Sequence, residues 1–182
     1  LLGLATAQIA ALTTAQVQLL NPQTINGFRS TQLQAITTAD VAALTTAQVQ
    51  SLSSLALNGL TSNQLRAIST AGIVALSTGQ MQVLSSQVLN GLSSGQLKAI
   101  EAVDIASLTS GQVQSLSSGA LVQLTSAQIG AISTAAIAVL SSGSLSVLQS
   151  NQLPFFTTAQ IVALTTAQIL SLIHISEPTR PY

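Results

Sequence analysis

Several residue types that carry chemistry are scarce in this chain of 182 residues. Cysteine and tryptophan are absent, which excludes disulfides and thiolate metal sites. Charged residues make up 4% of the sequence, and the formal net charge is zero. A neutral chain without a basic run argues against binding to nucleic acid or to anionic membrane surfaces. No stretch approaches the ~20 consecutive apolar residues of a membrane span, so none is predicted.

Apolar residues instead recur with a fixed period of eight, which we call the octad. Every eighth residue from Leu4 to Leu164 is Leu, Ile or Phe (the leucine series), and every eighth residue from Ile9 to Ile169 is apolar (the isoleucine series). A fixed period indicates that each unit buries its apolar face only against neighbouring units. The sequence therefore predicts a solenoid, an architecture more typical of scaffolds, spacers and binding surfaces than of enzymes.

The octad fits a short helix followed by a turn. A continuous helix would advance about 800° per octad, so its apolar stripe would drift by about 80° each time. A strand face needs even spacing, whereas these apolar positions alternate at five and three residues. Thr45 and Gln48 form a Ser/Thr-x-x-Gln capping box that starts a helix. The same pair recurs at Thr13/Gln16, Thr61/Gln64, Ser77/Gln80, Ser93/Gln96, Thr109/Gln112 and Thr125/Gln128.

Other residues at octad starts support helices over strands. Asn21-Pro22 replaces one Thr-Thr pair, and Asn at the cap with Pro at the first helical position is typical of a helix start. Asp40, Glu101 and Asp104 would lie in first turns, where the helix dipole favours an anion. We expect an all-α solenoid of short capped helices. A β-solenoid with eight-residue sides remains the alternative, because Thr, Ser, Val and Ile suit strands.

Longer periods are superimposed on the octad. Glutamine alternates with other residues every sixteen positions, as Gln16, Gln32 and onward to Gln128. Asn-Gly doublets recur every thirty-two residues, at Asn26-Gly27, Asn58-Gly59 and Asn90-Gly91. These periods predict a coil of two short antiparallel helices, or of four. We favour a structural role for the doublets, in a tight bend or a close helix contact, because Gly permits near backbone approach. The alternative is a ligand ladder along one edge.

Candidate chemical sites are few. Residues 1–169 contain only six ionisable side chains: Arg29, Asp40, Arg66, Lys98, Glu101 and Asp104. The pair Glu101 and Asp104 is the sole candidate for acid–base catalysis, and its position at a helix start favours a capping and dipole role instead. No serine or threonine has a base beside it to activate a nucleophile. We therefore predict no catalytic, cofactor-binding or metal-binding residues, no cofactor and no enzymatic activity.

Two further features could form binding surfaces. Arg66 and Lys98 share an octad position expected to face solvent, so they form either a sparse positive line for a partner or isolated solvating charges. Pro154-Phe155-Phe156 departs from the repeat. This segment predicts a kink or an exposed apolar docking spot, with a locally drifted repeat as the simpler interpretation.

The repeat units resemble those of a known group of proteins. Leu12-Thr13-Thr14-Ala15-Gln16-Val17 and Leu164-Thr165-Thr166-Ala167-Gln168-Ile169 are similar to the Leu-Thr-Thr-Ala-Gln repeats of large bacterial surface or secreted proteins described as adhesin-like. The resemblance implies export and a structural role at the cell surface. We expect a spacer or surface-presenting scaffold, with self-association or surface glycans as partners. The alternative is a binding module whose Ser/Thr/Gln ladder takes glycans or ice.

The last thirteen residues do not continue the pattern. The eleven residues from Leu170 to Arg180 resemble the conceptual translation of a transposase adaptor used in short-read library preparation. We therefore expect residues 170–182 to be sequencing read-through and residues 1–169 to be a metagenomic fragment of a longer array. That interpretation places His174 and Tyr182 outside the repeat domain.

Overall fold

The computed structural model describes residues 3–148 and 152–176, and this part of the chain is built of short helices without a β-strand. The expected all-α solenoid is confirmed, and the β-solenoid alternative is wrong. Backbone contacts divide the chain into two compact units, Leu1–Ile100 and Glu101–Tyr182.

The described residues of the first unit, 3–100, form twelve helices. They are α1 (Thr6–Ala10), α2 (Thr14–Gln18), α3 (Pro22–Asn26), α4 (Ser30–Ala35), α5 (Thr38–Ala42), α6 (Thr46–Gln50), α7 (Ser54–Gly59), α8 (Ser62–Ala67), α9 (Thr70–Val74), α10 (Thr78–Val83), α11 (Ser86–Gly91) and α12 (Ser94–Ala99). Each octad thus forms one helix of five or six residues and the turn that follows it.

The second unit continues the pattern with one interruption. Its helices are α13 (Ala102–Ser107), α14 (Ser110–Gln114), α15 (Ser118–Leu121), α16 (Ser126–Ala131), α17 (Thr134–Val139), α18 (Ser142–Ser146), α19 (Thr158–Ala163) and α20 (Thr166–Ser176). A 3-10 turn, η1 (Leu153–Phe155), replaces the α-helix of one octad. Helix α20 runs past Ile169 into the segment interpreted as read-through, and residues 177–182 lie outside the described residues.

Side chains at the helix starts explain why such short helices form. The hydroxyl oxygen of Thr45 accepts a hydrogen bond from the amide of Gln48, and the Gln48 side chain accepts one from the Thr45 amide. All seven capping boxes predicted from the sequence are present. Asn21 caps α3 and Pro22 occupies its first turn, as expected. Helices of this length are unstable alone, so packing between coils must supply the rest of their stability.

The two apolar series form the core, and they differ at the ends of the array. The leucine series is buried from Phe28 to Leu164 but only partly buried at its first three members, Leu4, Leu12 and Leu20. The isoleucine series is buried from Ile9 to Leu145 but not at its last three members. The leucine series therefore faces the preceding coil and the isoleucine series faces the following one.

Packing partners are separated by three or four helices along the chain. In the first unit, α1 packs on α4, α5 on α8 and α9 on α12, while α3 packs on α7 and α7 on α11. In the second unit, α13 packs on α16 and α14 on α17. A coil thus holds between three and four helices. The two-helix coil predicted from the sixteen-residue period is wrong. The alternation of glutamine with other residues distinguishes octads within one coil and does not give the number of helices per coil.

Candidate functional site

Gln48 shows how successive coils are joined. Its Oε1 accepts from the Thr45 amide at 3.0 Å, so the carbonyl end of the side chain completes the cap of its own helix. Its Nε2 donates to the carbonyl oxygens of Val17 and Leu20, both at 2.9 Å. Those carbonyls lie at the end of α2, where the Val17 carbonyl also accepts from the Leu20 amide at 3.1 Å. One side chain therefore satisfies the start of one helix and the end of another.

The same arrangement repeats along both units. We call these side chains the inter-coil glutamines; each donates to carbonyls 28 and 31 residues earlier in the chain. They include Gln48, Gln64, Gln80, Gln96, Gln152, Gln160 and Gln168. In the described part of the chain, no buried side-chain nitrogen or oxygen lacks a hydrogen-bond partner. Polar side chains inside this core are thus fully paired, which is the condition under which their burial is tolerated.

The asparagines of the Asn-Gly doublets join coils on another side. Asn58 donates from Nδ2 to the Val83 carbonyl at 2.9 Å, and its Oδ1 accepts from the Ser85 amide at 2.7 Å. Asn26 makes the equivalent pair of bonds to the Ser51 carbonyl and the Ser53 amide. Each asparagine side chain thus hydrogen-bonds to both sides of the turn between two later helices. Their amides are occupied by the protein, so the structure does not support a ligand ladder at these two positions.

The glycines of the doublets differ from one another in how tightly they are packed. A Cβ atom on Gly59 would lie 3.0 Å from the Cδ1 atom of Leu33, which confirms close helix contact there. A Cβ atom on Gly91 would meet only Ser62 and Leu65, at 3.5 Å and beyond. None of the described glycines has a positive φ, so no left-handed backbone conformation requires glycine at these positions.

Two exposed cations of the first unit, Arg66 and Lys98, lie near the carboxyl ends of helices. Arg66 and Lys98 are in the last turns of α8 and α12, where the helix dipole favours positive charge. Both are exposed, as the octad position predicted. Arg66 also donates from Nε to the Gly91 carbonyl at 3.0 Å, so it serves a coil contact. Gln34 makes the same contact to the Gly59 carbonyl, which shows that this position does not require charge.

The acidic pair Glu101 and Asp104 lies at the start of α13. Glu101 occupies the cap of α13 without a side-chain capping bond, so its expected capping role is wrong, while Asp104 lies in the first turn as predicted. Asp104 is 5% exposed, and its burial, reinforced by the nearby Glu101 charge, raises the pKa of its carboxyl. Among the described residues, no group of three or more His, Cys, Asp and Glu side chains could hold a metal ion.

The segment around Pro154 departs from the regular repeat, because the 3-10 turn η1 replaces an α-helix there. Phe155 is 48% exposed at the end of η1, while Phe156 keeps the buried place of the leucine series. The Phe155 carbonyl oxygen lies 3.3 Å from the position that a Cβ atom on Gly130 would occupy. The drifted-repeat interpretation accounts for this segment, because the core position is retained and only the outer residue changes.

Hydroxyl groups line an exposed edge. Thr14, Thr46 and Thr78 stand at the first helical positions of α2, α6 and α10, thirty-two residues apart. All three are exposed, and their side chains make no hydrogen bond to another described residue. The residues that follow them are small: Ala15, Ala47 and Gly79. This threonine edge is a regular polar surface without charge.

Sequence reasoning found the capping role of glutamine and missed its second role. The sequence signal for this second role is that the third helical position of the capping boxes holds glutamine, an amide, and never glutamate, an acid. Glu completes a capping box as well as Gln does, yet no octad has Glu at the third helical position. Only the amide can accept at one end and donate to a carbonyl at the other.

Comparison with known families agrees with this architecture. A family model of the ALTTAQ repeat matches residues 56–86 and 97–134, which supports a repeat family and a structural repeat region. No curated protein matches the chain. Among the described residues, no helix combines the length and the apolar character that crossing a bilayer requires.

Proposed function

We propose that this chain is a non-catalytic structural segment that acts as a spacer or surface-presenting scaffold of a bacterial surface or secreted protein. The observation that carries the proposal is the inter-coil glutamine. Each coil is bonded to its predecessor through backbone carbonyls, as with Gln64 on Leu33 and Ile36, both at 2.7 Å. Repetition of one such contact builds length without requiring a specific site.

The ionisable and hydroxyl side chains also favour a non-catalytic role. Catalysis by side chains relies on perturbed acids, bases or nucleophiles brought together in a cleft. Here Asp104, whose carboxyl has a raised pKa, lies beside Glu101, and no basic side chain accompanies them in that helix. Hydroxyls at the caps are engaged with backbone amides, as Thr45 is with Gln48. These hydroxyls support the helix starts.

A location outside the cell is the second part of the proposal. It rests on the resemblance of the Leu-Thr-Thr-Ala-Gln units to repeats of bacterial surface and secreted proteins. A long read through the source locus tests it: a secretion or anchoring segment in the same reading frame supports the proposal. A reading frame that joins the array to a cytoplasmic enzyme would overturn it.

The same read tests our inference that residues 170–182 derive from an adaptor. We expect the genomic frame to depart from Leu170-Ser171-Leu172 and to continue with octads. Genomic DNA that encodes residues 170–182 as they stand would refute the inference.

Stiffness is the property that separates a spacer from a linker. The chain lacks cysteine, so paired spin labels can be placed at Ala15→Cys with Ala47→Cys, and at Ala15→Cys with Gly79→Cys. These exposed positions share the second helical place of α2, α6 and α10. We expect two narrow distance distributions by pulsed dipolar spectroscopy, the second about twice the first. Broad distributions that match those of the urea-unfolded chain would contradict a spacer.

The second candidate function is a binding module for glycans or ice. The threonine edge at Thr14, Thr46 and Thr78 favours it, because these hydroxyls are exposed and have no hydrogen-bond partner among the described residues. A monomeric binder should capture a polysaccharide on a glycan array or slow ice recrystallisation, and Thr14→Val with Thr46→Val and Thr78→Val should abolish the effect. Absence of both activities in the folded chain would exclude this candidate and leave the spacer standing.

A further inference from the structure

Two different side chains bond the cap amides at the helix starts. The Ser77 amide donates to Oε1 of Gln80 in the same octad at 2.9 Å, and Gln80 donates to the Leu52 carbonyl of the preceding coil at 2.8 Å. The Ser85 amide donates instead to Oδ1 of Asn58, twenty-seven residues earlier, at 2.7 Å. In both cases one side-chain amide ties a helix start to the preceding coil.

The glutamine and the asparagine replace each other along the sequence. The residues Asn26, Asn58 and Asn90 are each followed thirty positions later by a third helical residue other than glutamine: Ala56, Val88 and Ala120. Where Val122 takes the place of the asparagine, Gln152 follows thirty positions later and donates to the Leu124 carbonyl at 2.9 Å. A backbone amide has one hydrogen to donate, so a cap needs only one of these two side chains.

One series of octads has neither side chain. The cap amide of Ser69, at the start of α9, has no hydrogen-bond acceptor among the described residues. Its third helical position is Gly72, and Ala42 stands twenty-seven residues before the cap. In the second unit, Ser133 at the start of α17 has alanine at both of these places and likewise no described acceptor for its amide.

We propose that adjacent coils separate first at this series of helix starts, so that an array under tension lengthens there before its other coil contacts open. A side-chain amide that makes two hydrogen bonds must release at least one of them before its helix start can leave the preceding coil. Protein structures open locally where such bonds are fewest. Each bond contributes modestly, so a pair should change the opening equilibrium about tenfold. The inference goes beyond the proposed function, because it concerns how coils separate wherever the array is located.

Three buried amides form a matched set of probes for this opening. Ile73, Met81 and Leu89 hold the same octad position in α9, α10 and α11 and are 2%, 1% and 1% exposed. Each amide donates to the carbonyl of its own serine cap, at 3.0, 2.9 and 3.1 Å. The cap amide itself is without a described acceptor in α9, bonded to a glutamine in α10 and bonded to an asparagine in α11. Native-state hydrogen exchange by NMR, corrected for intrinsic rates, should show Ile73 exchanging about tenfold faster than the other two.

The variant Ala42→Asn supplies the missing side chain at an exposed position of α5. The new amide would accept from the Ser69 amide and donate to the Ala67 carbonyl. These are the two bonds that Asn58 makes to groups twenty-seven and twenty-five residues later. Exchange of Ile73 should slow about tenfold. The matched control is Ala39→Asn, at an exposed position three residues earlier on α5, which should leave Ile73 exchange unchanged.

The reciprocal variant removes an existing bond. Asn58→Ala should speed exchange of Leu89 about tenfold and leave Met81 unchanged, and this single variant is decisive by itself. Adding Val88→Gln gives α11 a capping glutamine and should restore slow exchange of Leu89, with a circular dichroism melt to verify folding. Three outcomes would overturn the proposal: parent exchange of Ile73 as slow as that of Met81, no slowing by Ala42→Asn, or equal slowing by Ala39→Asn.

Discussion

The side-chain amide nitrogen of Gln64 lies 2.7 Å from the carbonyl oxygen of Leu33, thirty-one residues earlier in the chain. This bond joins the start of one helix to the end of another and is buried at both ends. Hydrogen bonds in such surroundings contribute modestly when made and are costly when one partner is left unpaired. The glutamines should therefore be the most sensitive polar positions of the array.

Gln64→Glu is expected to destabilise the fold at neutral pH by about 2–4 kcal/mol, because a buried carboxylate would replace the donor to Leu33 and Ile36. The capping box survives, since Glu serves at its third position. Urea unfolding followed by circular dichroism measures the effect. Burial would raise the pKa of the new carboxyl, so the loss should shrink as the pH falls.

Gln16→Glu provides the control for that experiment. The Gln16 side chain is exposed and its Nε2 has no acceptor among the described residues, so the change should stay within about 0.5 kcal/mol. Equal losses at Gln16 and Gln64 would show that the inter-coil bond is not the cause.

Thr45→Ala should cost about 1 kcal/mol, because it removes the hydroxyl that accepts from the Gln48 amide at 3.2 Å. The adjacent Thr46→Ala should change stability by less than about 0.5 kcal/mol, since Thr46 is exposed and makes no side-chain hydrogen bond. Thermal unfolding of the two variants compares them directly. A larger effect at Thr46 would contradict the assigned caps.

Gly72→Ala and Gly95→Ala are expected to act in opposite directions. A Cβ atom on Gly72 would lie 2.9 Å from the Cγ2 atom of Ile68 and 3.3 Å from that of Val49, so overpacking should cost about 1–3 kcal/mol. A Cβ atom on Gly95 would meet nothing within 4 Å, and alanine favours the helix by about 0.5–1 kcal/mol. Midpoints of urea unfolding measure both, and destabilisation by Gly95→Ala would refute the open space at that position.

Asp104 should make stability depend on pH. Its pKa in the folded chain is raised above the ordinary 3.8, first by desolvation and then by Glu101. The folded state thus binds the proton more tightly than the unfolded state, so this carboxyl lowers stability as the pH rises from 3.8 through the folded-state pKa. Asp104→Ala should therefore gain melting temperature relative to the parent as the pH rises through this range.

Asp40→Ala is the matched control for Asp104. The Asp40 carboxylate accepts from the Thr37 hydroxyl at 2.6 Å, a bond that Asp104 lacks because Glu101 occupies its cap. Removal of Asp40 should lower the melting temperature at neutral pH. A gain for Asp40→Ala like that for Asp104→Ala would show that a general charge effect is responsible.

The helices and their faces could be predicted from the sequence because both depend on local spacing. Thr45 and Gln48 mark a helix start three residues apart, and the apolar series mark the buried side. The number of helices per coil could not be predicted, because it depends on how coils stack. The sixteen-residue alternation of glutamine indicated two helices, whereas the packing of α5 on α8 and α3 on α7 gives between three and four.

The chemistry of the surface was predicted less completely. Arg66 was expected to face solvent and does, but its bond to the Gly91 carbonyl joins residues twenty-five positions apart, which no local pattern reveals. The sequence did not predict any hydrogen bond of the Asn58 side chain, although this side chain bonds to both sides of the turn between α10 and α11. Both contacts depend on coil geometry, which the octad spacing does not determine.

The acceptors of the inter-coil glutamines are backbone carbonyls, which every octad possesses whatever its side chains. Gln160 bonds to an octad that contains Gln128, and Gln152 bonds to one that contains Ala120 in the same place. A unit can therefore follow any other without a matched partner surface. For the gene, this means that unequal recombination between repeats can lengthen or shorten the array by whole octads. Each new junction still offers backbone carbonyls to the glutamine side chains. Variation in length among descendants of such a gene needs no compensating substitutions.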